Sequence, residues 1–330
     1  MFLVQKSKDW QPTAGIENLQ RRAHFLSEIR DFFAKKGVLE VETPLMCHAA
    51  ATDPYINPIA VFYTHPHTTN NQKFYLQTSP EFAMKRLLAA GSGAIYQICK
   101  AFRSDEIGRL HNPEFSMLEW YRPGFDHQDL MDEVDALLSL ILETPKAERL
   151  TYQAAFQNIL GLDPHQTSAQ QLKQYAASKG IILSDVVMNG LTHDDWLDIL
   201  MTHCIEPHLG FECPVMLYDF PASKAALAKV CTGELSVAER FEVFVRGIEL
   251  ANGYHELTDP DIQLKRIEAD REYRKKNQYL DIPVDFRLIE ALKAGLPDSA
   301  GVALGLDRLL MLKLGSDEIQ EVISFTTDRA

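Results

Sequence analysis

Apolar residues near the start of the chain recur at helical spacing. Between residues 16 and 36 they lie three or four positions apart, and the pattern stops at Gly37. Such spacing places the apolar side chains on one face of a helix, and glycine commonly follows a helix end. The next segment, VLEVETPLM at residues 38–46, has an extended pattern that Pro44 interrupts. The sequence therefore predicts an amphipathic helix followed by a broken strand.

Two stretches of alternating residues predict a first antiparallel hairpin. Side chains alternate in character over residues 96–102 and again over residues 115–121, and Asn112-Pro113 ends the loop between them. Because side chains in a strand alternate between the two faces of a sheet, Glu119 and Tyr121 should share one face.

A second hairpin is predicted around a two-residue turn at Arg246-Gly247. This turn would set the following cross-strand pairs: Val245 with Ile248, Phe244 with Glu249, and Glu242 with Ala251. Glu242 and Glu249 would then lie diagonally on one face of the sheet. Asn252-Gly253 is expected to break the second strand and redirect the residues that follow.

Further patterns predict the remaining elements. A helix is expected over residues 81–90, with Ser79 as its N-cap and Pro80 in its first turn. Residues 128–209 have a mainly helical pattern, and residues 302–314 predict a strand that turns into a helix. Residues 64–73 are polar and aperiodic and are interpreted as an exposed loop. Two histidines in that loop, without a third ligand nearby, do not indicate a metal site.

Composition narrows the class of protein. A chain of 330 residues with 46% apolar residues can form a large core, and no apolar run approaches the length of a membrane span. The net charge of −13 argues against stable nucleic-acid binding, which usually needs a basic surface. Five cysteines without a C-x-x-C pair predict neither a disulfide framework nor a zinc site. We therefore expect a cytoplasmic protein without membrane contact.

The loop between the strands of the first hairpin contains candidate nucleotide chemistry. Arg103 follows the first strand, where a guanidinium could bind a phosphate oxygen, and Asp105 could accept from an amine or a water. The alternative is an ordinary charged hairpin tip. The arginine of GLDRLL, Arg308, lies near a helix N-terminus, which is a position suited to phosphate.

Two readings of the second hairpin stay open. Two carboxylates on one face, those of Glu242 and Glu249, repel each other unless a positive group lies between them. Magnesium shared with phosphate oxygens would satisfy this requirement. A structural ion pair with Arg240 or Arg246 would satisfy it equally well.

Three segments resemble the sequence motifs of class II aminoacyl-tRNA synthetases, and of the lysyl enzymes in particular. Motif 1 covers about 20–46, motif 2, which includes FRSDE and HNPEF, covers about 96–123, and motif 3, which includes GVALGLDRLL, covers about 301–314. The resemblance implies an α/β (α+β) fold in which an antiparallel sheet is flanked by helices. It also implies a single catalytic domain over residues 1–330, with a helical insertion at about 145–210.

The resemblance is strongest to a group of shortened lysyl-tRNA synthetase paralogues, the elongation factor P beta-lysine ligases. It is carried by TSPEFAMKRLL at residues 78–88, HNPEFSMLEWYRP at 111–123 and GIELANGYHELTD at 247–259. Motif 1 starts too early for an anticodon-binding barrel to precede it. The implied activity is ATP-dependent activation of (R)-beta-lysine and its transfer to a lysine side chain of elongation factor P, by a homodimer built on motif 1. A compact lysyl-tRNA synthetase or free amino-acid ligase using alpha-lysine, and a silent ligand-binding paralogue, remain as alternatives.

The same resemblance implies a role for each matching residue. The catalytic residues would be Arg103 and Arg308. The ATP-binding residues would be Arg103, Ser104, Asp105, Asn112, Phe115, Glu249, Leu250, Gly305 and Arg308. The substrate-binding residues would be Ser79, Pro80, Glu81, Glu119, Tyr121, Asn252, Glu256 and Ala303. The magnesium ligands would be Glu242 and Glu249.

Two of the residues in these segments need comment. Glu256 falls where the lysyl enzymes bind the distal ammonium of lysine, whereas its neighbour His255 is interpreted as a supporting or surface residue. Ala303 replaces a glycine of the lysyl enzymes. An added methyl group in a tight pocket can re-seat a ligand. Ala303 could therefore shift the preference toward beta-lysine, or it could be a tolerated core change.

Overall fold

The computed structural model describes residues 10–64, 71–184, 190–231, 233 and 235–330, with the side chain of residue 71 left out. The α-helices of these residues are α1 (Ile16–Lys35), α2 (Glu81–Ala89), α3 (His127–Leu142), α4 (Tyr152–Leu160), α5 (Ala169–Ser178), α6 (His193–Leu200), α7 (Pro260–Lys276), α8 (Phe286–Gly295) and α9 (Leu306–Leu314). The strands are β1 (Leu39–Glu40), β2 (Met46–Cys47), β3 (Ala60–Thr64), β4 (Asn71–Leu76), β5 (Ile95–Phe102), β6 (Glu114–Pro123), β7 (Glu148–Thr151), β8 (Val215–Pro221), β9 (Val230–Cys231), β10 (Val237–Val245), β11 (Ile248–His255) and β12 (Ser299–Gly305).

The fold divides into two compact units. The first unit comprises the residues up to Pro123 together with Asp259–Pro297 and Ala303–Ala330. The second unit comprises Gly124–Thr258 and Asp298–Val302. A single catalytic domain over the whole chain therefore stays a prediction. Within the described ranges, no helix is both long and apolar enough to cross a membrane.

The first unit is built on the predicted hairpin. Strands β5 and β6 pair antiparallel from Ile95↔Tyr121 to Phe102↔Glu114, and β1 pairs parallel with β5. Strands β2, β4 and β3 form a separate small sheet. Helices α2, α7 and α8 pack on the hairpin through a core that comprises Met84, Leu88, Ile95, Tyr121, Ile267, Leu288, Ile289, Leu292 and Leu296.

The amino-terminal predictions are confirmed with one exception. Helix α1 ends at Lys35, and Gly37 has a φ of 67°, which glycine adopts more easily than other residues. The loop prediction for residues 64–73 is wrong at both ends, because Thr64 lies in β3 and residues 71–73 lie in β4. Cross-strand pairing with apolar residues such as Phe62 recruits this polar segment into a hairpin. The two histidines at 65 and 67 lie outside the described residues.

The second unit combines a mainly antiparallel sheet with the helices between residues 127 and 208. Its strand order is β11-β10-β8-β7, with β9 paired to β10, and only β7 and β8 run parallel. Trp196 and Met201 are buried in its core, as predicted. The helical prediction for 128–209 is wrong at β7, since Glu148–Thr151 pairs with β8 and forms an edge strand.

The second hairpin forms with a bulge that the sequence did not indicate. Arg246 and Gly247 have φ values of 53° and 71°, as a two-residue hairpin turn requires. The predicted pairs next to the turn are confirmed, but Glu242 pairs with Asn252 and not with Ala251. Leu250 is the extra residue, because its neighbours Glu249 and Ala251 pair with consecutive residues of β10.

The bulge changes which residues share a face with Glu242. Without it, Asn252 would point to the opposite face, because strand side chains alternate. The predicted break at Asn252-Gly253 is also wrong, since β11 continues to His255. A Cβ atom at Gly253 would lie 2.4 Å from the Phe241 ring, so glycine serves close packing there and does not end the strand.

Candidate active site

Four predicted residues form a buried polar cluster in the first unit. Ser79 Oγ donates to Glu119 Oε2 at 2.7 Å, and the Tyr121 hydroxyl donates to Glu119 Oε1 at 2.6 Å. Ser79 Oγ also accepts from the Glu81 backbone N–H at 3.1 Å. Glu119 and Tyr121 lie on the same face of β6, as the alternation predicted. The hairpin thus presents a carboxyl group whose two oxygens are both oriented by hydroxyl donors.

The start of α2 places a second carboxylate and a cation beside this cluster. Pro80, not Ser79, is the N-cap residue of α2, which corrects the cap assignment. The Lys85 ammonium lies 2.5 Å from Glu81 Oε1, one helical turn further on, and is buried. Sequence reasoning missed Lys85, although the spacing of four residues from Glu81 is a usable signal.

Burial perturbs the carboxyl group of Glu119. This residue is only 1% exposed, and burial together with the Glu81 carboxylate raises its pKa to about 8. The hydroxyl donors and Lys85 act in the opposite direction but do not compensate fully. The cluster therefore binds either a proton or an additional cation, and an ammonium group of a ligand would satisfy it.

The loop after β5 places Arg103 against an aromatic ring. Its guanidinium carbon lies 5.1 Å from the centre of the Phe115 ring, and Nη1 donates to Glu106 at 3.2 Å. Its Nε atom is buried, and no hydrogen-bond partner for it is found among the described residues. A buried donor without a partner is costly, so a ligand oxygen would stabilise this arrangement.

Ser104 and Asp105 are fixed by a residue that sequence reasoning missed. The Ser104 backbone N–H donates to the Asn57 carbonyl, and the Asn57 amide donates to Asp105 Oδ2, both at 2.9 Å. Arg274, a buried residue of α7, donates to Asn57 Oδ1 at 2.9 Å. Asn57 and Arg274 are distant in sequence from motif 2 and carry no local pattern that could have indicated this contact.

Asn112 shapes the end of the same loop. Its amide donates to the Glu114 carbonyl at 2.6 Å and its Oδ1 accepts from the backbone N–H of Thr327 at 3.1 Å. Both amide atoms are therefore engaged within the chain. The nucleotide contact implied for Asn112 stays a prediction.

Arg308 lies in the first turn of α9, as predicted, and contacts the His111 ring and the Leu110 carbonyl of the motif 2 loop. The preceding residue, Asp307, is buried and forms a 2.7 Å ion pair with Arg22 of α1. Asp307 also accepts from the Ser116 backbone N–H at 2.7 Å. Asp307 and Arg22 thus link motifs 1, 2 and 3 around Arg308, and sequence reasoning missed both.

Ala303 and Gly305 lie in the last three residues of β12. Both are partly buried, and Gly305 is the residue from which α9 begins. Gly305 has a φ of −73°, so its conformation does not require glycine. The specificity role implied for Ala303 stays a prediction.

The second unit contains the predicted metal ligands, but also the rival ion pair. Arg240 Nη2 lies 2.5 Å from Glu242 Oε1, and the Asn252 amide donates to the same oxygen at 3.3 Å. Burial raises the pKa of Glu242 to about 7 despite Arg240, because Glu249 and Glu206 add negative charge. One guanidinium therefore does not neutralise this group of carboxylates, and a divalent cation between Glu242 and Glu249 fits the donor set.

The remaining predicted residues of the second unit lie along β11 and just beyond it. Leu250 is the buried bulge residue, and Glu256 is only 1% exposed, with its backbone N–H donating to the Ser299 carbonyl. His255 is buried as well, which excludes the surface alternative and leaves its interpretation as a supporting residue. The predicted site residues are thus distributed over both units.

Similarity to known proteins agrees with these motifs. The family model described as tRNA synthetases class II (D, K and N) matches residues 7–329. The elongation factor P--(R)-beta-lysine ligase of Vibrio cholerae serotype O1 is 53% identical over 324 residues, which cover 98% of this chain and 99% of that protein. The protein of the same name from Yersinia enterocolitica is 50% identical over 327 residues, or 99% of this chain and 100% of that protein.

The family match also confirms the predicted fold class, since mainly antiparallel strands flanked by helices are found in both units. The order of motifs 1, 2 and 3, their placement on α1, on the β5 and β6 hairpin and on α9, and the match across nearly the full chain lead to one conclusion. The chain belongs to the class II tRNA synthetase family.

Proposed function

We propose that this protein is an ATP-dependent ligase that activates (R)-beta-lysine as an adenylate and transfers it to a lysine side chain of elongation factor P. The names of the relatives support this reading over a compact lysyl-tRNA synthetase or a free amino-acid ligase. The buried acidic cluster around Glu119 supports a substrate that carries ammonium groups.

The nucleotide-binding part of the proposal rests on the surroundings of Arg103. Its buried Nε has no partner among the described residues, and its guanidinium lies against Phe115. An arginine over the ring of a half-buried aromatic residue suits a ligand that combines a phosphate with a flat base. We assign the α-phosphate of ATP to Arg103 and the adenine to Phe115, with Ser104, Asp105 and Asn112 shaping the loop around them.

The first chemical step joins the substrate carboxylate to the α-phosphorus of ATP. A carboxylate oxygen attacks in line, the bond to the bridging oxygen breaks, and pyrophosphate leaves with the electron pair. Arg103 and Arg308 stabilise the negative charge that grows on the phosphate oxygens during this step. The residues that position the substrate are Ser79, Pro80, Glu81, Glu119, Tyr121, Asn252, Glu256 and Ala303.

Glu242 and Glu249 would hold a magnesium ion, with Leu250 and Gly305 contributing to the ATP site. When bound, the ion supplies positive charge to the phosphate oxygens. Burial is the largest cause of the raised pKa of Glu242, and the Glu249 and Glu206 carboxylates raise it further; the negative charge that they add supports this assignment. Arg240 orients the Glu242 carboxylate through the ion pair between them.

The second step transfers the activated group to an amine. The unprotonated nitrogen of an acceptor lysine attacks the carbonyl carbon of the mixed anhydride, and an amide bond forms. The bond from that carbon to the phosphate oxygen breaks, AMP leaves with the electron pair, and the nitrogen releases one proton to solvent. We infer elongation factor P as the acceptor from the names of the relatives. We further propose a homodimer through α1, no stable nucleic-acid partner, and a cytoplasmic location, the last supported by five free cysteines.

A mass measurement tests the proposal. The purified protein is incubated with ATP, magnesium, (R)-beta-lysine and unmodified elongation factor P, and the intact mass of the factor is recorded. We expect a gain of one lysyl unit, and a much smaller gain with alpha-lysine. An unmodified factor, combined with charging of tRNA by alpha-lysine, would contradict the acceptor assignment and favour a compact synthetase.

A second measurement tests the chemistry independently of the acceptor. We expect Arg308→Ala to lose ATP–pyrophosphate exchange by about a hundredfold or more while remaining folded. Arg329→Ala, near the end of the chain, serves as a matched control and should retain exchange. Unchanged exchange in Arg308→Ala would remove Arg308 from the proposed mechanism.

A further inference from the structure

His255 lies between two carboxylates in the second unit. Its Nδ1 contacts Glu239 Oε2, and its Nε2 lies 2.9 Å from Asp298 Oδ1. The ring is 7% exposed, whereas the Asp298 side chain is 67% exposed. One imidazole therefore connects β10 to the residue that precedes β12.

Both ring nitrogens of His255 contact carboxylate oxygens, so the ring has an acidic partner on each side. A neutral imidazole has one N–H donor, and an ionised carboxylate offers only acceptors. At each contact one partner supplies the proton, and the ring thereby joins Glu239 to Asp298. The Lys229 ammonium, 3.8 Å from Asp298 Oδ1, adds a positive charge on that side. The bridge is therefore a polar link between two chain segments.

The segments at Asp298-Ser299 and at Ala228-Lys229 hold Glu256 from both sides. On one side, the Glu256 backbone N–H donates to the Ser299 carbonyl at 2.9 Å, next to Asp298. On the other side, Ala228 forms a bridge with Glu256, and the Lys229 N–H donates to the His255 carbonyl at 2.8 Å. His255 thus fixes, through its ring and its backbone, the strands that flank Glu256.

We propose that His255 is a positioning residue that sets the location of the Glu256 carboxylate and so determines how tightly the substrate ammonium is bound. This inference rests on the proposed function, because it takes Glu256 as an ammonium-binding residue. His255 acts through the backbone on either side of Glu256 and does not touch the substrate.

A metal ion is the competing explanation for the same residues. Ligand atoms of His127, Glu239 and His255 all lie within 4.8 Å of one another. However, the side-chain amide nitrogen of Gln128 lies 3.1 Å from His127 Nε2. The amide oxygen of Gln128 accepts from Arg149. A metal ion bound through His127 Nε2 would have to displace this contact with Gln128.

The test compares three variants by ATP–pyrophosphate exchange with (R)-beta-lysine. We expect Glu256→Gln and His255→Gln each to raise KM for the amino acid about tenfold or more, with KM for ATP unchanged. Asp298→Asn, which removes one carboxylate from an exposed position, should raise it by about threefold and provides a readout if His255→Gln fails to fold. His193→Gln, a half-buried histidine bonded to the Thr167 carbonyl, is the matched control and should change neither constant.

The outcomes distinguish failure of the ammonium-binding role of Glu256 from failure of the positioning role of His255. If Glu256→Gln leaves KM for the amino acid unchanged, the ammonium role of Glu256 in the proposed function fails. If Glu256→Gln raises KM but His255→Gln and Asp298→Asn do not, only the positioning role is overturned. An equal rise in both KM values for His255→Gln would indicate general loss of structure and would also overturn it. One bound metal ion per chain in the purified wild-type protein, lost in His127→Ala, would also overturn the positioning role of His255.

Discussion

Glu119 in the first unit and Glu242 in the second are both buried glutamates, but their carboxyl groups have different partners. Two neutral hydroxyl groups, those of Ser79 and Tyr121, donate to Glu119. A guanidinium, that of Arg240, lies 2.5 Å from Glu242. Burial is the largest cause that raises the pKa of each, to about 8 for Glu119 and about 7 for Glu242.

The difference shows two ways to keep a buried carboxyl group ready for a ligand. Hydroxyl donors orient the oxygens of Glu119 without supplying positive charge, so that charge is left for a cation from outside the chain. Arg240 offsets part of the negative charge around Glu242 within the chain, while Glu249 adds charge that a divalent ion would balance. Under the proposed function, substrate ammonium completes the first cluster and magnesium completes the second.

Removing the internal cation of the second cluster should have the largest effect. Arg240→Met leaves Glu242 buried without its ion pair, so we expect the free energy of unfolding to fall by about 3–5 kcal/mol. Urea denaturation measures this loss. Arg246→Met, in the exposed hairpin turn, is the control and should change stability by less than about 0.5 kcal/mol. A similar small change in both variants would mean that Arg240 does not offset the charge of Glu242.

For the cluster around Glu119, we expect the free energy of unfolding to depend on pH. The folded-state pKa of Glu119, about 8, lies above its ordinary value of 4.5, so its contribution is complete below pH 4.5 and is lost as the pH rises through 8. Glu119→Gln cannot ionise. Between pH 7 and pH 9, wild type should lose about 1–2 kcal/mol relative to Glu119→Gln, because Glu242, with a pKa of about 7, titrates in both proteins and cancels in the comparison. Parallel stability curves over this range would contradict the raised pKa.

Binding of magnesium should stabilise the folded protein through the cluster around Glu242 and not through the cluster around Glu119. At a concentration about tenfold above its Kd, the ion should stabilise wild type by about 1.4 kcal/mol. Glu249→Gln should lose this gain, whereas Glu119→Gln should keep it, and thermal unfolding with and without a chelator measures both. Equal stabilisation of the two variants would place the ion elsewhere.

The smallest effect is expected from a single hydroxyl group. Tyr121→Phe removes one donor to Glu119 and should cost about 1 kcal/mol of unfolding free energy at neutral pH. It should also raise the pKa of Glu119 further, because the hydrogen bond that Tyr121 donates in wild type stabilises the charged carboxylate and is absent from the variant. A lower pKa in Tyr121→Phe would show that the hydroxyl does not stabilise the carboxylate.

Local patterns predicted the elements that carry the site. Alternation between residues 96 and 121 indicated the β5 and β6 hairpin, and with it the shared face of Glu119 and Tyr121. Helical spacing indicated α1, and the Arg246-Gly247 turn was confirmed by its positive φ values. These features depend on neighbours within a few residues along the chain, so the sequence contains the information directly.

Contacts between distant segments could not be predicted in the same way. Arg22 and Asp307 are separated by 285 positions, and neither has a local pattern that indicates a buried ion pair. The same holds for Asn57, whose amide fixes Asp105 only because α7 places Arg274 against it.

The sequence alone determined the elements of this protein and, by resemblance, the family to which it belongs, because periodicity, turn residues and motifs are local properties of the chain. The tertiary structure decided the partner of each charged group. The bulge at Leu250 brought Asn252 to Glu242, and packing left Glu119 with hydroxyl donors while Arg240 stayed with Glu242. Burial and charge compensation depend on what lies nearby in space, and no local pattern specifies that.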